Sequence, residues 1–166
     1  MSAIASQPID TRKSLLRSIL IGTVIMGTLD AIVWHLIVVS LIGGQPLISV
    51  YQYLASAAIG MVAFEGGILT ALLGLFFHYV VAFAVAAAFF LSADRIPLLR
   101  RYAIPASLIY GVGVFIVMNM IVLPLTSAPP LPAPTVSDLV KGILDHILVV
   151  GLPLGLLVQR NAKSNQ

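Results

Sequence analysis

Two acidic and two imidazole side chains interrupt the apolar runs of this sequence, and these are the groups with which it could do chemistry. Asp145 and His146 are adjacent in one run, and Asp30 and His78 lie in two earlier runs. An aspartate at the centre of a membrane-inserted helix costs about 2.5–3.5 kcal/mol, so it is rarely kept without a partner or a function. Carboxylate and imidazole groups at one depth can bind a small polar solute or pass protons.

The composition predicts that these side chains lie inside a membrane. Hydrophobic residues make up 60% of the chain and charged residues only 9%, whereas a soluble domain has about 25% charged residues. Each backbone amide in lipid needs a partner within its own segment, so the apolar runs are predicted to be helices. The chain has no cysteine, which excludes disulfides, thiolate metal sites and cysteine nucleophiles.

The predicted fold is an all-α polytopic membrane protein, a four-transmembrane-helix bundle forming a single domain over residues 1–166. Each apolar run is close to the ~20 residues that a bilayer requires. The predicted spans are about 19–41, 68–91, 103–125 and 139–158.

Two connections on the outer side have different characters. Polar residues recur at helical spacing after Pro46, which predicts a helix at about 46–62 lying in the membrane interface. A buried re-entrant position for this helix remains an alternative. The second connection, at 126–137, is proline-rich and predicted to be extended, and Thr135 and Asp138 have the spacing of a capping box for the last helix.

The basic residues predict the orientation. Eight of them lie in the N-terminal tail, the loop between spans two and three, and the C-terminus, whereas Lys141 alone lies on the other side. The positive-inside rule therefore places both termini in the cytoplasm. Because these residues flank apolar runs and do not form one basic face, no nucleic-acid partner is expected.

Position along each span predicts how deep the polar side chains lie. Counting ~1.5 Å per residue puts Asp30 and His78 near the midplane. Asp145, His146 and Asn119 fall in the outer half, while His35 and Glu65 fall at the outer boundary. On the helices that carry Asp30 and His78, small residues lie on the same face as these two side chains. These faces are therefore expected to point into the bundle. We therefore predict that Asp145 or His146 reaches Asp30 or His78, directly or through one water.

Other interpretations of these residues stay open. Asn119 is expected to make only an interhelical contact. Asp30 must pair with a histidine or stay neutral, because no lysine or arginine is at its depth. Ligation of a haem iron by His78 and His146 is a lesser alternative; otherwise no metal and no cofactor is expected. No hydrolase, phosphate-loop or zinc-protease motif is present, so the chain is not expected to be an enzyme.

The sequence from span two onward resembles a known family. The features that carry the resemblance are a histidine-bearing span (His78), a basic turn, a span ending in Pro124-Leu125 with a diproline soon after, and a last span carrying Asp145 and His146. Over roughly the last 100 residues the chain is similar to the YagU-type family of small bacterial inner-membrane proteins. The resemblance implies a bacterial inner membrane and a recurring histidine and Asp/His pattern, but no reaction, and it does not cover Asp30.

Two functions remain in competition. The first is an outward-facing pocket in which Asp30, His78, Asp145, His146 and Asn119 bind or conduct a small polar solute or protons. The second is an accessory or structural subunit whose polar residues only join helices. Because four spans are few for a lone transporter, we expect a homo-oligomer or a larger membrane complex.

Overall fold

The computed structural model describes the backbone of residues 8–164 and the side chains of residues 14–161, and within this part it contains helices and no strand. Its α-helices are α1 (Pro8–Asp30), α2 (Leu47–Ile59), α3 (Gly67–Arg95), α4 (Pro97–Arg101), α5 (Ala103–Val117), α6 (Val136–Asp145) and α7 (Leu152–Ser164). Three stretches are wound as π-helix: π1 (Ala31–Ile42), π2 (Met118–Val122) and π3 (His146–Gly151). Short 3₁₀ turns cover Gly60–Phe64 and Leu123–Leu125.

The π segments continue the α-helices, so the chain forms long continuous rods. Five of these are long and apolar enough to cross a membrane: Ser14–Ile42, Leu47–Phe64, Gly67–Arg95, Ala103–Leu125 and Val136–Asn161. The prediction of an all-helical chain with apolar helices of membrane length is confirmed. Four of the five rods contain the predicted spans, and the fifth contains α2, the helix that the sequence predicts to lie in the interface.

Helices α1 and α3 run antiparallel. Gly22 faces the ring of Phe90, whereas Gly27, further along α1, faces Tyr79, which comes earlier in α3. The end of π1 and the start of α3 therefore lie at the same end of the bundle. Because α2 connects them, α2 begins and ends at that end too, which we call the loop end; the opposite end is the terminal end.

Helix α7 and π3 pack closely against α5. The backbone of His146 and the following residue leaves no room for a side chain at Gly111, and the Ser107 backbone does the same at Gly151. Gly155, one turn further on, meets Ser107 and the Ala103 carbonyl. The pairing is antiparallel, and Gly111, Gly151 and Gly155 let the two backbones approach closely.

The hydrophobic core lies toward the terminal end, where four rods meet. Phe89 and Phe90 of α3 contact α1 and α7, and each is no more than 3% exposed. Leu154 is fully buried in the same cluster. The Tyr110 hydroxyl of α5 donates a hydrogen bond of 2.8 Å to the Val85 carbonyl of α3, which joins these two helices beside the core.

Helix α2 is packed along α3 at the loop end. The Tyr51 carbonyl of α2 lies directly against Gly74, where a side chain would not fit. Gln52 donates to the Gly67 carbonyl at 3.1 Å, and Ala55 and Ser56 are fully buried. A small residue on α3 therefore lets the two backbones touch.

The proline-rich connection is bound to α2. The Ser127 amide donates to the Ala57 carbonyl at 3.0 Å, and the Tyr53 hydroxyl donates to the Pro129 carbonyl at 3.3 Å. Residues 129–135 have no regular secondary structure, and the backbone of Thr135 is extended. Helix α6 begins with the predicted capping box: the Thr135 side chain accepts from the Asp138 amide, and the Asp138 carboxylate accepts from the Thr135 amide. That prediction is confirmed.

Candidate functional site

Asp30 lies where the α-helical winding of α1 changes to the π winding of π1. Its carboxylate Oδ2 is 3.7 Å from Nδ1 of His78 on α3 and 3.8 Å from Nε2 of His35 on π1. The side chains of both histidines are less than 10% exposed, and the Asp30 side chain is 16% exposed. Two imidazoles from two rods therefore flank one carboxylate.

The sequence analysis assigned His35 to the outer boundary and did not predict its contact with Asp30. At 3.6 residues per turn, five residues rotate by ~500°, so an α-helix would place His35 ~140° away from the Asp30 face. A π-helix bonds residue i to i+5 and therefore has more residues per turn, so the fifth residue lies much closer to the face of the first. The π winding of π1 thus brings His35 over Asp30, and the five-residue spacing was the only signal in the sequence.

The orientation of His78 is held by its backbone partner. Its Nε2 is 2.8 Å from the Gly27 carbonyl, which can only accept a hydrogen bond, so Nε2 carries the proton. In the neutral ring, Nδ1 then has a lone pair, and this atom faces Asp30. The His78 ring also packs edge-on against His35 and Tyr79, with ring centroids 4.9 and 5.2 Å apart.

Asp145 and His146 form a second acid and imidazole pair at the α6 to π3 junction. Asp145 Oδ2 is 3.6 Å from His146 Nδ1, which donates to the Gly142 carbonyl at 2.9 Å. Asp145 is only 6% exposed, and among the described residues neither of its carboxylate oxygens has a hydrogen-bond donor. The His146 ring packs against Phe115 of α5.

Asp30 joins the two pairs into one group. Its carboxylate lies near enough to Asp145 and His146 for their charges to interact, although neither carboxylate oxygen of Asp145 has a hydrogen-bond partner among the described residues. The predicted hydrogen bond from Asp145 or His146 to Asp30 or His78, direct or through one water, stays a prediction. We call Asp30, His35, His78, Asp145 and His146 the polar cluster. It draws side chains from three rods.

Asn119 lies apart from these contacts. It belongs to π2, is exposed, and donates through Nδ2 to the Phe115 carbonyl of its own rod at 2.9 Å. Asn119 does line the same cavity as the polar cluster, so it remains a predicted cavity residue. Glu65, predicted to be a boundary residue, is exposed at the start of α3.

A cavity of about 690 Å³ opens beside the polar cluster. Asp30, His35, His78 and His146 line it together with many aliphatic and aromatic side chains. Ser49, Tyr53 and other residues of α2 line it, as do Thr126 and Leu131 of the proline-rich connection. All three π segments contribute residues to its wall, and wider helical turns of this kind often occur at functional sites.

Haem ligation by His78 and His146 stays a prediction. The rings that pack against His78 belong to His35 and Tyr79, and the ring that packs against His146 belongs to Phe115. Each histidine keeps one ring nitrogen free of the backbone carbonyl it binds. Purified protein from haem-replete cells would show a Soret absorption band if these histidines held haem.

Comparison with family models, with curated proteins and with solved structures finds no match for this chain.

Proposed function

We propose that the cavity binds a small cation with a mainly apolar body, and that the polar cluster holds its charged end and exchanges protons with it. The observation that carries the proposal is the cavity itself, whose 690 Å³ lies within the ~300–1,000 Å³ typical of small-molecule sites. Its wall is mostly apolar, with few polar groups placed together. That combination suits a ligand with one charged end.

The positive charge proposed for the ligand follows from the residues around the cavity. Asp30 lines it, Asp145 interacts with Asp30, and among the described residues that line it there is no lysine or arginine. A carboxylate in apolar surroundings requires a cation or a proton as its partner. A solute cation and protons would therefore compete for the same groups.

The membrane arrangement is part of the same proposal. Four rods cross the bilayer, and α2 enters it from the loop end and returns without crossing. The antiparallel α1 and α3, which place both ends of α2 at one end of the bundle, support this arrangement. Exposed aliphatic side chains such as Leu69 and Ile109, each 74% exposed, are suited to lipid. The basic residues place the terminal end in the cytoplasm, and the resemblance to YagU-type proteins favours a bacterial inner membrane.

Trp34 offers a direct test of binding, because it is the single tryptophan of the chain and lines the cavity. Benzyltrimethylammonium should change its fluorescence in a saturable way, whereas the uncharged benzyl alcohol should act far more weakly. Asp30→Asn should abolish the response to the cation. Asp94→Asn is the matched control, since Asp94 is exposed and paired with Arg100. Equal responses to both probes would contradict a carboxylate-dependent cation site.

Proton exchange is tested in liposomes with an imposed pH gradient. Addition of the cation should release protons through the parent protein, and Asp30→Asn and His146→Ala should weaken that flux. Unchanged flux in all three proteins, with unchanged folding, would favour a purely structural role for the polar cluster.

A second candidate is an accessory or oligomeric subunit. Of the five rods, Ala103–Leu125 has the smallest share of buried residues. Its exposed side chains include Ile109, Met120 and Leu125. A second copy or a partner could cover this surface. Mass measurement of the detergent-solubilised protein tests the expected homo-oligomer or larger complex, and a stable monomer would count against it.

A further inference from the structure

We propose that Asp30, His35 and His78 form a binding site for a divalent first-row transition-metal ion. Each residue offers one donor atom, and the three atoms lie within 4.8 Å of one another. This proposal rests on the proposed function in one respect, which is that the cavity takes up cations. It adds that one of these cations is an inorganic metal ion.

The spacing of the donor atoms suits a metal ion after a small contraction. Metal bonds of about 2.0–2.1 Å in a tetrahedral site put neighbouring donors ~3.4 Å apart. The two separations from Asp30 Oδ2, 3.7 Å to His78 and 3.8 Å to His35, exceed this by a few tenths of an ångström. The donor nitrogens of the two histidines lie within 4.8 Å of each other, so rotation of the side chains must bring the three atoms closer together.

The hydrogen bond of His78 is the second observation. Its Nε2 proton is held by the Gly27 carbonyl, so in the neutral ring the lone pair of Nδ1 points at the carboxylate of Asp30. Two electron-rich atoms that face each other favour a cation or a proton between them. A metal-binding histidine commonly donates its other N–H to a backbone carbonyl in this way, which fixes the ring and its tautomer.

His35 supplies the third donor and opens the site to the cavity. It is 6% exposed, and among the described residues its Nδ1 has no hydrogen-bond partner. Coordination through Nε2 leaves Nδ1 as the protonated nitrogen, and the His35 ring packs edge-on against Tyr51. All three residues line the cavity, so a fourth coordination position faces it.

The donor set indicates the kind of metal. Two imidazoles and one carboxylate suit zinc and neighbouring first-row ions, whereas Mg²⁺ and Ca²⁺ prefer oxygen donors. Three protein ligands with an open position are typical of sites that exchange a bound water or solute, and structural zinc sites instead have four protein ligands. We therefore expect an exchangeable ion.

The experiment uses full-length protein purified in detergent without a histidine tag, with Co²⁺ and Zn²⁺ as the probes. Parent protein should bind one Co²⁺ per chain, with visible absorption bands and quenching of Trp34, and Zn²⁺ should displace it. His35→Gln and His78→Gln should each weaken Co²⁺ binding about tenfold or more. Asp94→Asn is the control, because Asp94 is exposed, paired with Arg100 and outside the polar cluster.

Three results would overturn the metal site. These are failure of the parent protein to bind Co²⁺, equal loss in Asp94→Asn, and retention of full affinity by both histidine variants. If a glutamine variant does not fold, the electron paramagnetic resonance spectrum of Cu²⁺ bound to the parent protein decides the question. Two imidazole nitrogens on the copper are expected, and none would contradict the site.

The same samples separate this proposal from the proposed function. If benzyltrimethylammonium changes Trp34 fluorescence but Co²⁺ does not bind, the organic cation site stands and the metal site fails. If neither cation binds, the proposed function fails together with the metal site. If Co²⁺ alone binds, the metal site stands and the apolar part of the cavity has another role.

Discussion

The two ends of the bundle are built on opposite principles. At the terminal end, small residues bring helices together around Phe89, Phe90 and Leu154, all of which are buried. Toward the loop end, the rods change to π winding, and a cavity of about 690 Å³ takes the place of a packed core. The carboxylate and imidazole groups of the polar cluster lie beside this cavity. The comparison teaches that stability and chemistry are separated along the bundle axis.

The largest expected effect is at the terminal end. Phe89→Ala removes a ring that is 1% exposed and leaves a void, which should lower the free energy of unfolding by about 3–5 kcal/mol. Cation binding in the remaining folded protein should be nearly unchanged. Denaturant unfolding in detergent measures the stability. Phe76→Ala is the control, because Phe76 is 61% exposed, and an equal loss there would contradict a localised core.

Much of the packing along α3 follows from ordinary α-helical periodicity. On the predicted stripe of small residues that includes His78, Ala71 and Ala82 are no more than 5% exposed and Gly74 is buried, whereas Gly67 at the start of the helix is exposed. Simple steps of three and four residues were sufficient because α3 is α-helical throughout.

The loop end could be predicted only in part. His35 was assigned to the outer boundary by counting residues along the span, and its contact with Asp30 was not predicted because no simple sequence period signals π winding. Pro153 is a partial clue to the winding of π3. Because proline has no amide hydrogen, the backbone carbonyl one turn earlier lacks its usual hydrogen-bond donor, and π3 ends just before Pro153. The close packing of α2 on α3 was also missed, because polar spacing alone does not distinguish a buried helix from one in the interface.

A smaller effect tests the contact that closes the cavity. Gly74→Val places a branched side chain against the Tyr51 carbonyl, so α2 must shift away from α3. Overpacking of this kind costs about 1–3 kcal/mol. Because α2 and Trp34 line the same cavity, a shift of α2 should also make Trp34 more accessible to acrylamide quenching.

Gly113→Ala is the control for Gly74→Val, because a side chain there meets no atom within 4 Å. It should be neutral or slightly stabilising, since alanine favours a helix over glycine by up to about 1 kcal/mol. Unchanged quenching of Trp34 in Gly74→Val would mean that α2 does not close the cavity.

The smallest expected effect has the opposite sign. Asp145 is buried beside Asp30, and among the described residues no donor reaches its carboxylate oxygens. Asp145→Asn keeps the shape, removes the charge and adds an N–H that can donate to Asp30. A donor placed on a charged acceptor typically stabilises by about 1 kcal/mol or more, so unfolding should require more denaturant. Sites that are kept for function often carry such a cost in stability.

Asp94→Asn provides the comparison for Asp145→Asn. Asp94 lies at the terminal end, where its exposed carboxylate pairs with Arg100, so its loss should lower stability by no more than about 1 kcal/mol. Opposite signs for the two substitutions would show that only the carboxylate beside the cavity is kept at the expense of stability. If Asp145→Asn instead destabilises the fold, Asp145 is a structural partner of the histidines, and the division between a packed end and a chemical end fails at this residue.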